Sequence, residues 1–400
     1  MKRILFVEDN PILLELYGIM LTGEPHRWQV KTAASGQQAL ELLEATVFDA
    51  VISDLEMPGM DGIQLLREVK ARSPQTARII VSGVTDQKLV AEGLHETHQF
   101  IAKPINSKAI KATLERINRL DAYLQNDTLK QLVSRLDTLP SFPSLYLEIM
   151  QELSNDDVSL EKIAAIVAKD PGMTVKMLQI VNSAATGLAR KITSPVDAVQ
   201  YVGTATVRAL AISAHIFSCF EHTELKGFSV QELWDHAIRS AAVARKIMML
   251  ERAETAQVED AYIAALLHDI GKLMLANNLP VDFQLALDLA REQKLPFPEA
   301  EQKVFGATHA GVGGYLLGLW GMPSTIVEAV AFHHSPNLSE TRTFEPLTAV
   351  YAANRLEHEL TATAPSNTGF DLEYLKALAI EDCLETWREH STTLLRAESR

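Results

Sequence analysis

Carboxylates follow two of the short apolar runs near the start of the chain. Glu8 and Asp9 follow the run Ile4–Val7. Asp54 follows the run Ala50–Ser53. Because ligands of an open parallel sheet bind beyond the carboxyl ends of its strands, we expect these three side chains to converge. Three carboxylates in one small site repel one another unless a cation is present, and oxygen ligands with open positions suit Mg²⁺. The sequence therefore predicts a magnesium pocket.

A second set of residues suited to chemistry lies later in the chain. Five of the twelve histidines stand in a notable order: His236, His268, His309, His333 and His334. The doublet His268-Asp269 is followed by Ile-Gly-Lys272, in which the glycine permits close backbone approach. Glu232 lies four residues before His236, so both side chains share one helix face. Imidazoles mixed with carboxylates suit Fe, Mn or Zn, and water activated between two such ions cleaves phosphodiesters.

The first 120 residues alternate short apolar runs with amphipathic stretches. Five runs are expected to be strands: Ile4–Val7, Gln29–Ala33, Ala50–Ser53, Arg78–Val81 and Gln99–Ala102. Alternation of strands with helices predicts an α/β domain over residues 1–120, with a five-stranded parallel sheet covered by helices on both faces. Asn10-Pro11 is a typical helix start, an N-cap followed by proline at the first helical position.

The pattern after Pro104 is purely helical. Residues 107–136 hold six Lys/Arg against three Asp/Glu, so this is the one basic segment of the chain. We expect it to begin as the last helix of the first domain and to continue as a connector helix. Its apolar spacing resembles a packing seam, which predicts a homodimer. The alternative is a solvated surface helix with no signalling role.

Beyond Leu139 the chain becomes a train of helical patterns broken by prolines and glycines. This predicts an all-α domain over residues 137–340. A C-terminal extension, residues 341–400, is expected to pack on that domain. Its two predicted helices run from Glu345 to Leu360 and from Leu372 to Leu395.

Composition excludes several classes of protein. The chain has 400 residues, 47% of them hydrophobic, which is enough for two to four packed domains. Its net charge of −14 argues against bulk electrostatic binding of nucleic acid, so we expect no direct DNA binding. Two cysteines fit a reducing compartment. The first apolar run is too short for a signal peptide, and no run reaches the ~18 residues of a membrane span. The expected location is therefore the cytoplasm, without membrane attachment.

The first domain resembles the receiver domain of two-component response regulators, which has a flavodoxin-like fold. The run Asp54-Leu-Glu-Met-Pro-Gly-Met-Asp-Gly62 is among the most specific signatures of that family. The resemblance implies that Asp54 accepts a phosphoryl group from a sensor histidine kinase, a phosphotransfer protein or a small phosphodonor. It also implies that Glu8, Asp9 and Asp54 hold Mg²⁺ together with the backbone carbonyl of Glu56.

The resemblance also assigns roles to three further residues of the first domain. The resemblance implies that Lys103 pairs with the phosphoryl oxygens and that the Ser82 hydroxyl donates a hydrogen bond to them. Phosphorylation adds roughly −1.5 to −2 charge, which would draw Ser82 inward and make room for Phe100 to rotate. Phe100 is thus the predicted reporter of the switched state.

The order of histidines resembles the HD superfamily of metal-dependent phosphohydrolases, and especially its HD-GYP branch, which hydrolyses cyclic di-GMP. Other segments resemble the related HDOD domain, a helical output module generally thought to lack enzymatic activity. These segments are Leu139-Pro-Ser-Phe-Pro143, Lys169-Asp-Pro-Gly172, Val181-Asn-Ser-Ala-Ala185 and Ala198-Val-Gln-Tyr-Val-Gly203.

Departures from the hydrolase pattern bear on activity. Ser-Pro-Asn-Leu follows His334, without the Glu and the Gly-Tyr-Pro of the HD-GYP branch. Asn354 stands where that family would place a metal-bridging aspartate, which weakens a two-metal site. The full candidate set is nevertheless present in order: Glu232, His236, His268, Asp269, Lys272, His309, His333 and His334.

Two functions therefore compete. The favoured hypothesis is a response regulator in which phosphorylation of Asp54 switches a non-catalytic HDOD output that binds a downstream signalling protein. The alternative is a metal-dependent phosphodiesterase output acting on cyclic di-GMP or another phosphate ester, with Fe, Mn or Zn as cofactor. A transcription factor is a third, weaker reading, because we find no helix-turn-helix with a basic recognition helix.

Overall fold

The computed structural model divides the chain into two compact units. It describes residues 2–22, 28–82, 96–103, 110–111, 113–115, 127–134, 148–149, 152, 158–169, 174, 192, 194, 196–200, 207, 225–361 and 369–398. Among these residues, no helix is both long and apolar enough to span a membrane.

A five-stranded parallel sheet forms the centre of the first unit. Its strands are β1 (Lys2–Val7), β2 (Trp28–Ala33), β3 (Ala50–Asp54), β4 (Ala77–Ser82) and β5 (Gln99–Ala102), in the order β2-β1-β3-β4-β5. The described helices between them are α1 (Pro11–Thr22), α2 (Gly36–Ala45) and α3 (Gly62–Arg72). Strands β3 and β4 are buried along their whole length. This burial explains the continuous apolar runs of the two strands. The predicted α/β class and all five predicted strands are confirmed.

Capping residues in the sequence mark the start of these helices. Asn10 accepts hydrogen bonds from the backbone N–H groups of Ile12 at 3.0 Å and Leu13 at 3.4 Å, which confirms the predicted cap. Asp61 and Gln64 form a reciprocal capping box at the start of α3. Because a Cβ atom at position 62 would lie 2.1 Å from the backbone oxygen of Asp54, only glycine allows α3 to start this close to β3.

The second unit is helical wherever the structure describes an extended segment. Its helices are α5 (Leu160–Val167), α6 (Val230–Leu250), α7 (Thr255–Leu267), α8 (Ile270–Asn278), α9 (Pro280–Gln293), α10 (Phe297–Phe305), α11 (His309–Leu319), α12 (Ser324–Phe332), α13 (Pro346–Thr361), α14 (Leu372–Ala377) and α15 (Leu384–Glu398). A preceding helix, α4 (Asp127–Ser134), lies in the predicted connector. Helices α6, α7, α12 and α13 pack against one another, and the all-α prediction is confirmed.

The single helix predicted from Leu372 to Leu395 is wrong. The structure has α14, a short 3₁₀ turn (Glu381–Cys383) and then α15. Ala379 adopts a left-handed conformation with φ of 55°, and the N–H of Ile380 bonds the carbonyl of Leu375. This is a Schellman closure made without glycine, so the sequence carries no obvious stop signal there.

Several predictions concern residues outside those described. The connector helix is described only in part, with Ile110 and Leu114 buried, so the predicted dimer stays a prediction. The side chain of Phe100 and most of the HDOD-like segments between 139 and 203 also lie outside the described part.

Candidate functional site

The three predicted carboxylates meet at one edge of the sheet. Glu8 and Asp9 follow β1, and Asp54 is the last residue of β3. Oxygens of all three lie within 4.8 Å of one another. Parallel pairing of Val7 with Ser53 places the two strand ends side by side. Glu8 and Asp54 are buried while Asp9 is exposed, so the pocket opens to solvent on one side.

Lys103 brings a positive charge to this pocket. It follows β5, and its backbone N–H donates to the Ser82 carbonyl at 2.9 Å. Its Nζ atom donates to Asp54 Oδ2 at 2.7 Å and lies 3.5 Å from Glu8 Oε2. The lysine is therefore placed against the predicted phosphoacceptor.

Electrostatics at the pocket favour an added cation. Burial and the charge of Asp54 raise the pKa of Glu8, while Lys103 opposes that rise. For Lys103, burial lowers the pKa, but the hydrogen bond and charge of Asp54 outweigh it and the pKa rises. One ammonium faces three carboxylates, two of them buried, and this oxygen-only donor set fits Mg²⁺. Glu56 has an exposed side chain, and a role for its carbonyl stays a prediction.

Replacing Lys103 with alanine should slow but not abolish phosphorylation of Asp54, because the nucleophile stays while its neutralising partner is lost. The same change should uncouple phosphorylation from the output domain. The measurement is labelling by acetyl phosphate, followed by hydrogen exchange over residues 225–361 with and without label. Lys31→Ala, a lysine on β2, serves as control. Exchange changes of wild-type size in the labelled Lys103 variant would contradict this role.

A histidine-aspartate centre lies inside the second unit. It comprises His236 on α6, His268-Asp269 between α7 and α8, His309 at the start of α11 and His333-His334 directly after α12. Five of these residues are buried: His236, His268, Asp269, His309 and His333. The structure thus brings together residues spread over 99 positions of the chain.

Gly271 allows the doublet to approach α11. A Cβ atom at that position would lie 2.0 Å from the backbone oxygen of His309. The predicted close approach at this glycine is therefore confirmed, and it sets Asp269 beside His309.

Two groups of ligand atoms share Asp269. The four-ligand position consists of Asp269, His309, His333 and His334, and the three-ligand position consists of His236, His268 and Asp269. Within each, the ligand atoms lie within 4.8 Å of one another. Asp269 Oδ1 is the oxygen nearer the first group, 3.1 Å from His309 Nε2 and 3.7 Å from His333 Nε2. Oδ2 is nearer the second, 3.5 Å from His268 Nε2 and 3.8 Å from His236 Nε2.

The opposite ring nitrogens are tethered in a repeating way. Nδ1 of His268 donates to the Ala265 carbonyl at 2.6 Å, and Nδ1 of His333 donates to the Val330 carbonyl at 2.7 Å. Because a carbonyl only accepts, these rings present Nε2 toward Asp269. Such tethering of one ring nitrogen orients histidine ligands in metal sites.

Buried carboxylates tether the rings of His236 and His309. Glu357 Oε2 accepts from Nδ1 of His236 at 2.6 Å, and Glu301 Oε2 accepts from Nδ1 of His309 at 2.6 Å. Glu357 also accepts from Arg239 Nε at 2.7 Å. Each position therefore has one histidine held by a carboxylate and one held by a backbone carbonyl.

The pKa shifts follow this arrangement. Burial lowers the pKa of His268 to about 3, and burial also lowers that of His333 well below its usual value. His309 differs, because the contacts with Glu301 and Asp269 together outweigh the lowering by burial, and its pKa rises. Burial would raise the pKa of Asp269, but its interactions with His268, Lys272 and His309 bring it well below its usual value. The carboxylate is thus ionised beside neutral imidazoles of His268 and His333, as metal ligands require.

Buried polar atoms without hydrogen-bond partners indicate whether these donor atoms fit a metal ion. Asp269 Oδ1 and His333 Nε2 are buried, and neither makes a hydrogen bond in the part of the chain that the structure describes. Imidazole nitrogens and a carboxylate oxygen suit Fe, Mn or Zn, so the residues fit an ion.

The structure does not place Glu232 in this centre. Its side chain is exposed in the first turn of α6 and is absent from the groups found among the described residues. The predicted ligand role is therefore not supported, because the four-residue spacing aligned it with His236 but left it at the solvent end of the helix.

Sequence reasoning missed Glu301, Glu357 and His358. His358 stacks on the His236 ring with centroids 4.6 Å apart. His236, Glu357 and His358 form a further group of close ligand atoms. Both carboxylate oxygens of Glu357, however, already accept hydrogen bonds, one from His236 and one from Arg239. The sequence did offer one indication of Glu357. It lies three residues after Asn354, and residues with this spacing are neighbours on the surface of a helix.

Replacing Glu301 with glutamine should weaken ion binding by about 10- to 100-fold, because His309 loses the carboxylate that orients and polarises it. Isothermal titration of the metal-free protein with Zn²⁺ measures the affinity. Glu299→Gln, a change on the same helix α10, should leave it unaltered. Equal affinities for the two variants would contradict the tether.

Comparison with known proteins agrees with both units. Residues 4–115 match the family model of the response regulator receiver domain, and residues 139–336 match that of the HDOD domain. The transcriptional regulatory protein GlrR of Escherichia coli is 35% identical over 117 residues, covering 28% of this chain and 25% of that protein. An uncharacterised protein of Treponema pallidum is 26% identical over 233 residues, covering 57% of this chain and 44% of that protein.

A solved structure supports the fold. An HDOD domain protein of unknown function from Geobacter sulfurreducens is 23% identical with a TM-score of 0.51, covering 70% of this chain and 94% of that one. The chain covers less than two thirds of the length of the two curated relatives named above.

The sheet order and the acidic edge agree with a receiver domain. The chain belongs to the response regulators that join an N-terminal receiver domain to a C-terminal HDOD domain.

Proposed function

We propose that phosphorylation of Asp54 switches an HDOD output that acts by binding a downstream signalling protein. The observation that carries the first half is the contact of Lys103 with Asp54 beside Glu8 and Asp9. In transfer, an Asp54 oxygen attacks the phosphorus of a phosphohistidine or small phosphodonor while the donor group leaves. Lys103 neutralises the growing charge, and Mg²⁺, when bound by the carboxylates, supplies further neutralisation.

The output half is supported by the family match and by the closed form of the histidine-aspartate centre. Five of its six residues are buried. Protein ligands that close a site are typical of structural ions, whereas catalytic sites keep an open position. The proposed role of an ion here is to stabilise a binding module.

Hydrogen exchange of the full chain with and without beryllofluoride tests the switch. We expect altered exchange in residues 225–361 of the wild-type protein and none in Asp54→Asn. Unchanged exchange in the wild-type output domain would overturn the coupling.

A second candidate function is metal-dependent phosphohydrolysis. The observation that favours it is that two ligand groups share Asp269, which is the arrangement that two-metal hydrolases use to activate water. A relative from Thermotoga maritima is a cyclic di-GMP phosphodiesterase, but the match covers 33% of this chain and 36% of that protein. A hydrolysis assay with Mn²⁺ or Fe²⁺ and cyclic di-GMP separates the candidates. Turnover favours the phosphohydrolase, and no turnover favours the binding module.

A further inference from the structure

Arg78 is a buried arginine near the start of β4, at the end of the sheet opposite to Asp54. The residue is 3% exposed. Its Nε atom donates to the Glu96 carbonyl at 2.7 Å, and its Nη1 atom donates to the carbonyls of Pro74 at 3.0 Å and Thr76 at 3.3 Å. One side chain therefore joins the segment before β4 to the segment before β5.

His98 strengthens this junction through its backbone and its ring. The N–H of His98 donates to the Arg78 carbonyl at 2.8 Å, and Nδ1 of His98 accepts from the backbone N–H of Arg78 at 3.0 Å. Burial, and then the charge of Arg78, lower the pKa of His98 well below its usual value. The ring is therefore neutral at neutral pH and Nδ1 can accept. Strand β5 begins at the next residue.

Glu96 ties the same segment to α3. Its Oε1 atom lies 3.2 Å from Arg67 Nε, and its Oε2 atom lies 3.5 Å from Lys70 Nζ. Helix α3 in turn begins in close contact with the end of β3. Both the neighbouring strand and the neighbouring helix therefore hold the start of β5.

Lys103 follows the other end of β5. This strand is only four residues long and lies at the edge of the sheet beside β4. A pairing this short makes few ladder hydrogen bonds, so it holds an edge strand weakly by itself. An extended chain cannot lengthen or shorten by much, so a shift at the start of β5 is carried along the strand to Lys103. The 2.7 Å contact of Lys103 Nζ with Asp54 Oδ2 therefore depends on how firmly the opposite end is held.

We propose that Arg78 is a positioning residue for phosphoryl transfer to Asp54: by fixing the start of β5, it holds Lys103 against that carboxylate. The proposal rests on the proposed function, because it takes Asp54 as the phosphoacceptor. Arg78 lies at the opposite end of the sheet from the reacting atoms, so its effect must pass through Lys103. The planar guanidinium suits this role because it offers several donors in fixed directions, here to three carbonyls.

Labelling rates of the wild-type protein, Arg78→Met, Lys103→Ala and the double variant test this role. Intact-mass measurement during incubation with acetyl phosphate and Mg²⁺ gives each rate. Arg78→Met should slow labelling nearly as much as Lys103→Ala does, by on the order of 10- to 100-fold, because displacement of a reacting group by about 1 Å can cost that much. The double variant should be no slower than Lys103→Ala, since a residue that acts through Lys103 then has nothing left to position. Arg72→Met, at an exposed arginine of α3, should be labelled like the wild-type protein.

Two results of these rate measurements would overturn the proposal. One is wild-type labelling of Arg78→Met. The other is a double variant that is clearly slower than Lys103→Ala, because Arg78 would then act on the domain in general. If Arg78→Met does not fold by circular dichroism, Arg78→Lys makes the same comparisons, because it keeps the buried charge but not the fork of donors.

Mg²⁺ affinity separates positioning from general loosening of the pocket. The carboxylates predicted to hold Mg²⁺ lie at the ends of β1 and β3, whereas Arg78 holds the start of β5. Isothermal titration should therefore show that Arg78→Met binds Mg²⁺ no more weakly than the wild-type protein. A loss of Mg²⁺ affinity comparable to the loss of rate would contradict the positioning role.

Failure of this proposal is distinguishable from failure of the proposed function. Labelling that persists in Asp54→Asn would place the acceptor elsewhere and refute the proposed function. A wild-type labelling rate in Arg78→Met, with labelling still lost in Asp54→Asn, would refute the positioning role alone.

Discussion

Asp54→Asn should abolish labelling of the protein by acetyl phosphate. The neutral amide has nearly the same shape as the carboxylate but is a far weaker nucleophile, so the fold is retained and transfer is lost. Intact-mass measurement after incubation with acetyl phosphate and Mg²⁺ detects the added phosphoryl group. Asp54 is the expected acceptor because its Oδ2 atom accepts a hydrogen bond from Lys103 Nζ at 2.7 Å.

Asp61→Asn is the matched control for this experiment. Asp61 lies in the same segment and caps α3 through its side chain, and asparagine is nearly as good a cap as aspartate. This variant should be labelled like the wild-type protein. Wild-type labelling of Asp54→Asn would move the acceptor to another residue.

The Asp54 variant also has an electrostatic signature. The charge of Asp54 is one cause of the raised pKa of Glu8, after burial. Removing that charge should therefore lower the pKa of Glu8, which a carbon-detected NMR titration of the Mg²⁺-free protein can follow. An unchanged Glu8 pKa would mean that the two carboxylates do not interact in solution.

The sequence predicted the sheet and its acidic edge well because both depend on local signals. Strand ends are marked by an apolar run followed by a charged residue, and parallel pairing then brings Asp54 beside Glu8 whatever the helices do. Ala379 shows the limit of this reasoning, because a left-handed closure without glycine gives no local signal.

The helical centre was harder to predict for a physical reason. Glu357 lies 121 residues from the histidine that it holds. A glutamate in a helix is usually a solvated residue, and only tertiary packing shows that this one and Glu301 are buried. Glu232 was chosen by spacing alone, and spacing does not tell which end of a helix faces solvent.

The double change His268→Ala and Asp269→Ala should produce the largest loss in the output domain. It removes the shared carboxylate and leaves Lys272 as a largely buried cation without its partner. Breaking such a pair costs on the order of 3–5 kcal/mol. For a domain of this size, that corresponds to a fall in melting temperature of roughly 6–20 °C. Calorimetry of the metal-free proteins measures it.

Ion binding should be lost in the same variant, because both ligand groups contain Asp269. Zn²⁺ should raise the melting temperature of the wild-type protein and leave that of the double variant unchanged, since only a bound ion stabilises by mass action. Asp269→Asn, a smaller change, repeats the ion test if the double variant unfolds. Asp382→Ala with His390→Ala, two exposed positions, controls for the loss of a histidine and an aspartate.

Hydrolysis assays of the wild-type protein and of the double variant decide between the two candidate outputs. A binding module has no turnover to lose, so cyclic di-GMP should be stable with the wild-type protein and with the double variant alike. Turnover by the wild-type protein that disappears in a folded Asp269 variant would instead make Asp269 part of a hydrolytic site.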